Sequence, residues 1–368
     1  MRALVLTDYH RLDVVERERP EPGPGEVLLR LCATGICGSD VHGFSGENGR
    51  RVPGQVMGHE SSGTVAALGE GVDEAAFPLG APATFNPVVV PAAQVAAYRG
   101  REQHAPGKAV IGVVPAIQAS FADYVVVPAG NVLLLDPDLP LHLGALIEPL
   151  AVAVHAVGRG TPSADDRVLV IGGGPIGQSV VLALHRAGVR RIVLSERDPA
   201  RRELVASLGV EVLDPSAGDL AERVADLLGG PADLAIDAVG LTPTLADAFA
   251  ATALGSRIVL VGMGSPRLEV SAFAISTEER TLIGSFTYSA QDFADAAAWI
   301  GAHADQVEPL VSRIVGPEEA HASFAALAAG EGPAGKILVR FDLPEQSGPE
   351  QSDQPVASVE SQKDGTPA

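Results

Sequence analysis

Through the first 155 residues the apolar positions come in short runs, MRALVLT, LDVVERE, EVLLRLCATG, SGTVAALG and FADYVVVP, each broken off by Gly, Pro or a polar cluster. Runs of that length and composition predict strands, so residues 1–155 predict an all-β layer, a partly open barrel. From Asp166 strand and helix alternate. RVLVIG leads into a helix through Leu184 that stops at Gly188, RRIVLSE into a helix through Leu208, and VEVLD into DLAERVADLLGG. DLAIDAV, a helix over Thr244 to Leu254, RIVLVG and TLIGSF follow. These six strands with helical crossovers predict an α/β unit, a doubly wound parallel sheet over 156–286. Beyond Phe286, QDFADAAAWIGAHADQV predicts a helix and KILVRF a strand returning to the first unit, so 287–341 completes the domain begun by 1–155. Residues 342–368 hold acids, Pro, Ser and Gln with almost nothing apolar to bury, and predict a disordered acidic tail.

A formal charge of -20 disfavours a nucleic-acid or anionic-membrane partner, since binding a polyanion needs basic surface. A small-molecule substrate fits better. The most apolar stretch, Val168 to Leu184, is interrupted by Gly172, Gly173, Gly174, Pro175, Gly177 and Gln178, and MRALVLTDYH lacks the apolar core of a signal peptide. Cys32 and Cys37 are the only cysteines and offer no disulfide framework, which predicts a reducing, cytoplasmic setting. Cys32, on EVLLRLCA, reads as core filler.

In VLVIGGGPIG a strand ends in the turn Gly172, Gly174, Gly177, with Pro175 and Ile176 opening a helix. Missing side chains there let backbone N–H groups approach a pyrophosphate at the positive end of the helix. Glu196 closes the second strand 19 positions past Gly177, near the ~20 expected of a ribose-binding carboxylate; a solvated strand-end Glu is the plainer alternative. Such a carboxylate accepts hydrogen bonds from the adenosine ribose but repels a 2′-phosphate, by roughly 4 kcal/mol at ~4 Å and an effective dielectric of ~20. NAD is therefore expected over NADP, with Arg197 alongside softening the preference.

Three further stretches hold a thiol, an imidazole and a carboxylate: GICGSDVHG around Cys37, GHES around His59, and IEPLAVAVHA with Glu148. These are the ligand types of a catalytic zinc that keeps one position open for water or substrate. On these motifs, in register from Met1 to about Phe341, the chain resembles the zinc-dependent medium-chain alcohol dehydrogenases, and among them the sorbitol, threonine and butanediol dehydrogenases.

The resemblance implies a GroES-like β-rich catalytic domain beside a Rossmann domain, and hydride transfer from a secondary alcohol (a polyol, sugar acid or related diol) to NAD, with zinc as Lewis acid. It also implies a homo-oligomer, dimer or tetramer. Many members use a second cysteine as third ligand; no cysteine follows Cys37 here, which leaves Glu148 for that place and Glu60 as an alternate ligand or neighbour of the metal. A helix N-terminal carboxylate is the other reading of Glu148. By the family pattern Ser39 and His42 form the proton relay, although Ser39 also suits a helix cap before Asp40. By the same pattern Arg201 lies near the adenosine ribose and Lys336 near the pyrophosphate, the alternative for each being a solvated surface charge.

The family often carries a structural zinc on a four-cysteine lobe. In PAAQVAAYRGREQHA those positions hold Pro91, Gln94, Ala97 and Ala105, and Glu102 with His104 cannot rebuild a closed site. One zinc per chain is expected, with packing of AAQVAAY replacing the second metal. A threonine-type dehydrogenase is the first alternative; it needs a cation for the substrate carboxylate, and Arg50 and Arg51 are the nearest candidates. A zinc-free quinone or enone reductase is disfavoured by Cys37, His59 and Glu148. A non-catalytic nucleotide-binding protein is disfavoured by those ligands and by the Ser39 and His42 pair.

Overall fold

The computed structural model describes residues 1–47 and 49–343, so the expected acidic tail, apart from Asp342 and Leu343, lies outside the described residues. All six strands expected of the second unit form one parallel sheet. Their spatial order is Glu211–Leu213, Arg191–Ser195, Arg167–Ile171, Ala232–Asp237, Thr252–Leu260, Thr281–Gly284. Successive side chains of a strand face opposite sides, and here both sides are covered. Val168, Val170, Leu194, Ile236 and Val259 pack with the helices Ile147–Gly160, Pro175–Arg186 and Ala290–Ala302. Leu169, Ile171, Val193, Ala235 and Ile258 pack with Leu220–Leu228 and Thr242–Ala251. Each fully buried Val or Leu contributes about 1.5–3 kcal/mol, which is why these strands read as unbroken apolar runs.

The first unit centres on Glu26–Gly35, which pairs antiparallel with Glu60–Leu68, Tyr124–Pro128 and Lys336–Arg340. The chain end thus returns to the first unit, as KILVRF predicted. The short strands Pro82–Phe85, Val132–Leu134 and Val311–Val315 extend the sheet to seven strands, and Val88–Val89 pairs with Ala109–Val110 apart from it. None of these was expected, because runs this short carry too little alternation to stand out.

Three expectations are corrected. The helix expected through Leu254 ends at Ala251, and Thr252 begins a strand: its Oγ1 donates back to the carbonyls of Ala248 (2.8 Å) and Phe249 (3.3 Å) while its extended backbone pairs with Ala232. The helix expected over 291–307 is two, broken at His303, whose ring stacks on Trp299. Among the described residues the one helical stretch long and apolar enough to cross a membrane is Leu141–Gly160, not Val168–Leu184; it is 72% buried, as befits a core helix, and it runs through the boundary expected between 155 and 156.

Candidate active site

Cys37 follows the strand Glu26–Gly35 and occupies the position before the helix Gly38–Phe44, with extended backbone and no side-chain cap. His59 precedes the strand Glu60–Leu68, whose register sets Glu60 opposite Gly35. These local breaks bring three donors together: one ligand atom each of Cys37, His59 and Glu60 lies within 4.8 Å of the others, the one such cluster among the described residues. His59 is 6% and Glu60 0% exposed.

Glu148 sits in the first turn of Ile147–Gly160, buried, with Oε1 accepting a hydrogen bond from the Tyr288 hydroxyl at 2.9 Å. It stands outside the compact triad but close enough for its charge to act on His59 and to feel Glu60. Burial pushes the Glu148 carboxyl up to about 7, with the His59 charge opposing and Glu60 adding. Burial works against a charged His59, yet Asp40 and then Cys37 hold its imidazole up to about 10. The surroundings of this pocket therefore favour a cation strongly. A thiol, an imidazole and carboxylates in that field fit zinc by donor type, and His59 Nδ1 is buried with no hydrogen-bond partner, 3.5 Å from Asp40 Oδ1.

Lys336, 3% exposed, is found on Glu60: Nζ donates to Oε2 at 2.6 Å and Oε1 at 2.8 Å. The family pattern placed it near the pyrophosphate, with a solvated surface charge as the alternative. A buried ammonium needs a buried anion, and Glu60 is the one within reach; the Lys336 stem still lines a small cavity beside Pro175, Gln178 and Ser179 at the head of the nucleotide helix.

Ser39 lies in the first turn of Gly38–Phe44 and does not cap it; its Oγ donates to Cys37 Sγ at 3.4 Å. His42, three residues on and half-buried, shares that helix face. Arg51, offered as a cation for a substrate carboxylate, is 1% exposed and bound to Asp40 at 3.0 Å. It is not available to a substrate. Cys32 is buried and its thiol is pushed up to about 11 by burial and then Asp342, as inert core filler should be.

At the nucleotide turn, Pro175 opens the helix Pro175–Arg186 and Ile176 packs on the sheet core. Glu196 braces the glycines: Oε2 accepts from Gly173 N at 2.7 Å and Oε1 from Asp198 N at 2.8 Å. A methyl at Gly174 would lie 3.7 Å from an Arg201 guanidinium nitrogen, so Arg201 does flank the turn. Gln178 Nε2 ties Gly173 O to Ala334 O, 2.8 Å to each, linking this turn to the segment that carries Lys336.

The lobe of residues 91–105 is not held as expected. Its helix Ala92–Tyr98 buries nothing, so packing does not replace the metal there. Gln94 accepts from Gly107 N at 3.3 Å, and Glu102 accepts from Ala290 N at 3.1 Å, while Gln103 and Ala105 are buried and His104 exposed.

Asp40 and Tyr288 were missed. Asp40 lay in view inside GICGSDVHG, between two residues already given roles. Tyr288 sits 140 positions from Glu148, and no local pattern marks it.

Residues 23–137 match the alcohol dehydrogenase GroES-like domain and residues 175–302 the zinc-binding dehydrogenase family. The chain is 33% identical over 296 residues to L-galactonate-5-dehydrogenase of Escherichia coli K12, spanning 80% of this chain and 85% of that protein. It is 31% identical over 340 residues to sorbitol dehydrogenase of Ovis aries, spanning 89% and 93%. A short chain alcohol dehydrogenase from Escherichia coli CFT073, solved with NADH, superposes with a TM-score of 0.83 at 29% identity, over 93% of this chain and 99% of that one. The chain belongs to the zinc-dependent medium-chain alcohol dehydrogenase family. It is an NAD(P)-dependent alcohol dehydrogenase with a GroES-like catalytic domain and a Rossmann domain, and it uses zinc and a nicotinamide cofactor.

Proposed function

We propose that this enzyme oxidises a secondary hydroxyl of a polyol, sugar acid or related diol with NAD, at a single zinc held by Cys37, His59 and Glu148. The observation that carries the reading is the convergence of Cys37 and His59 with buried carboxylates in a pocket that favours a cation. Relatives named for a sugar acid and for a polyol support the substrate class. Zinc held there would supply Lewis-acid polarisation of a substrate hydroxyl, and a bound nicotinamide would supply the hydride acceptor.

The chain's own residues do the rest. Glu148 serves as third ligand because its buried carboxyl takes a hydrogen bond from the Tyr288 hydroxyl and lies within electrostatic reach of His59, whereas Glu60 is already neutralised by Lys336 and stands by as the alternate. Ser39, whose hydroxyl donates to Cys37 Sγ in the resting site, would turn that hydrogen to His42 as it accepts the substrate's hydroxyl proton, and His42 would pass the proton outward. Glu196 accepts hydrogen bonds from the adenosine ribose in place of the 2′-phosphate of NADP, with Arg201 at its side. The zinc is single because Pro91, Gln94, Ala97 and Ala105 offer no ligands. The enzyme works as a cytoplasmic homo-oligomer. The threonine-type reading loses one of its two candidates, Arg51, which Asp40 holds in the interior, and keeps the exposed Arg50.

Screening polyols, aldonates, inositols and threonine for NADH absorbance, with and without a chelator, tests the reading. Turnover of a polyol or aldonate that stops on chelation is expected. Turnover that ignores the chelator, or is confined to threonine, overturns it.

A further inference from the structure

Arg51 is among the largest fully buried side chains in the protein, and an interior guanidinium has to be accounted for. Its slot is built for it. A methyl at Gly43 would lie 2.7 Å from Arg51 Cγ and 2.9 Å from Cδ, so only a glycine on the helix Gly38–Phe44 lets the arginine stem lie against that helix. The Tyr9 hydroxyl donates to the Arg51 carbonyl at 3.2 Å and fixes the backbone at that point.

The charged end reaches toward two of the proposed ligands, Cys37 and His59. One terminal nitrogen, NH2, donates to Asp40 Oδ1 at 3.0 Å and to Ser39 Oγ at 3.2 Å. Asp40 Oδ1 in turn faces His59 Nδ1 at 3.5 Å, and Ser39 Oγ donates to Cys37 Sγ at 3.4 Å. We infer that Arg51 is a positioning residue that sets the thiol of Cys37 and the imidazole of His59 through one shared nitrogen, and so fixes the two fixed corners of the metal site at once.

The physical reason for an arginine is geometric. Its planar group presents two hydrogens on that nitrogen in fixed directions, whereas the ammonium of a lysine rotates and sits on a shorter, flexible stem. Outer partners of this kind typically govern metal affinity 10–100-fold. A purely structural role would instead show as a loss of stability alone.

The inference rests on the proposed metal ligands, and the experiment keeps the two apart. Arg51→Met and Arg51→Lys are made in the full chain, and each is loaded with cobalt(II) or with zinc. Three quantities are measured: the thiolate-to-cobalt charge-transfer band, the rate of zinc release to a chelating dye, and the melting temperature. For wild type a charge-transfer band is expected; its absence overturns both the ligand assignment and this inference. In Arg51→Met the band is expected to shift and zinc release to quicken at least tenfold. Arg51→Lys is expected to recover much of the melting temperature while leaving the band displaced, and it decides the matter alone if Arg51→Met does not fold. A band in the wild-type position with zinc release within twofold of wild type, in whichever variant folds, overturns the role of Arg51 and leaves the ligand assignment standing.

Discussion

Gly35 and Glu60 face each other across two antiparallel strands so closely that a methyl on Gly35 would overlap the Glu60 carboxylate. The glycine is what allows a charged group to stand between Lys336 and the proposed metal ligands. Gly35→Ala is therefore expected to cost about 1–3 kcal/mol by overpacking and to push Glu60 off Lys336, lowering kcat/KM at least tenfold. Denaturant unfolding and steady-state kinetics of the variant check this; wild-type kinetics would show that Glu60 is not held for function.

Tyr288→Phe removes the hydroxyl that donates to Glu148 and leaves a buried carboxylate with one partner fewer. The expected loss is about 1–3 kcal/mol of stability in metal-free protein. Zinc restores most of that loss, since a metal ligand satisfies the same oxygen. Melting curves with and without zinc report it, and an equal loss in both states would remove Glu148 from the coordination sphere.

Glu196 braces Gly173, and the proposed function gives it a second task, receiving a ribose. In Glu196→Ser the KM for NAD should rise at least tenfold while kcat/KM with NADP holds or improves. An equal decline with both cofactors would mean that only the brace matters.

Asp233 binds Arg167 at 2.7 Å through NH2 and also accepts from Arg167 N at 2.9 Å, clamping two central strands of the parallel sheet. The Arg167 hydrogen bond depresses the Asp233 carboxyl below its usual value, with burial working the other way. A depressed carboxylate stabilises the fold at pH above its unfolded pKa and loses that contribution as pH falls through the folded value. Asp233→Asn should thus cost about 1 kcal/mol at pH 7, discounted for partial exposure, and nothing once the medium is acidic enough to protonate Asp233. Urea midpoints of both proteins across the acid range test this, and a gap that persists at the acid end contradicts it.

The parallel sheet was legible because both faces are buried: Val168, Leu169 and Val170 form a run that no surface element would tolerate. Cys37, His59 and Glu196 stood out as candidates because their chemistry is uncommon beside glycines and strand ends, and Glu148 only through the family pattern of its segment. Long-range pairing was not. Lys336 looked like a phosphate ligand until its partner Glu60 was seen, and Arg51 looked like a surface cation until Gly43 was seen to make room for it. Where a charge is neutralised by a residue far along the chain, spacing carries no trace of it. The short strands such as Val88–Val89 were hidden for a related reason, since two residues have no periodicity of their own.

The central claim is one zinc bound by sulfur, nitrogen and oxygen from this chain, and zinc K-edge X-ray absorption on the purified enzyme tests it most directly. The account predicts one zinc per chain with a single sulfur scatterer at about 2.3 Å and the remaining shell of nitrogen and oxygen at about 2.0–2.2 Å. A shell without sulfur, or a second zinc per chain, would contradict it.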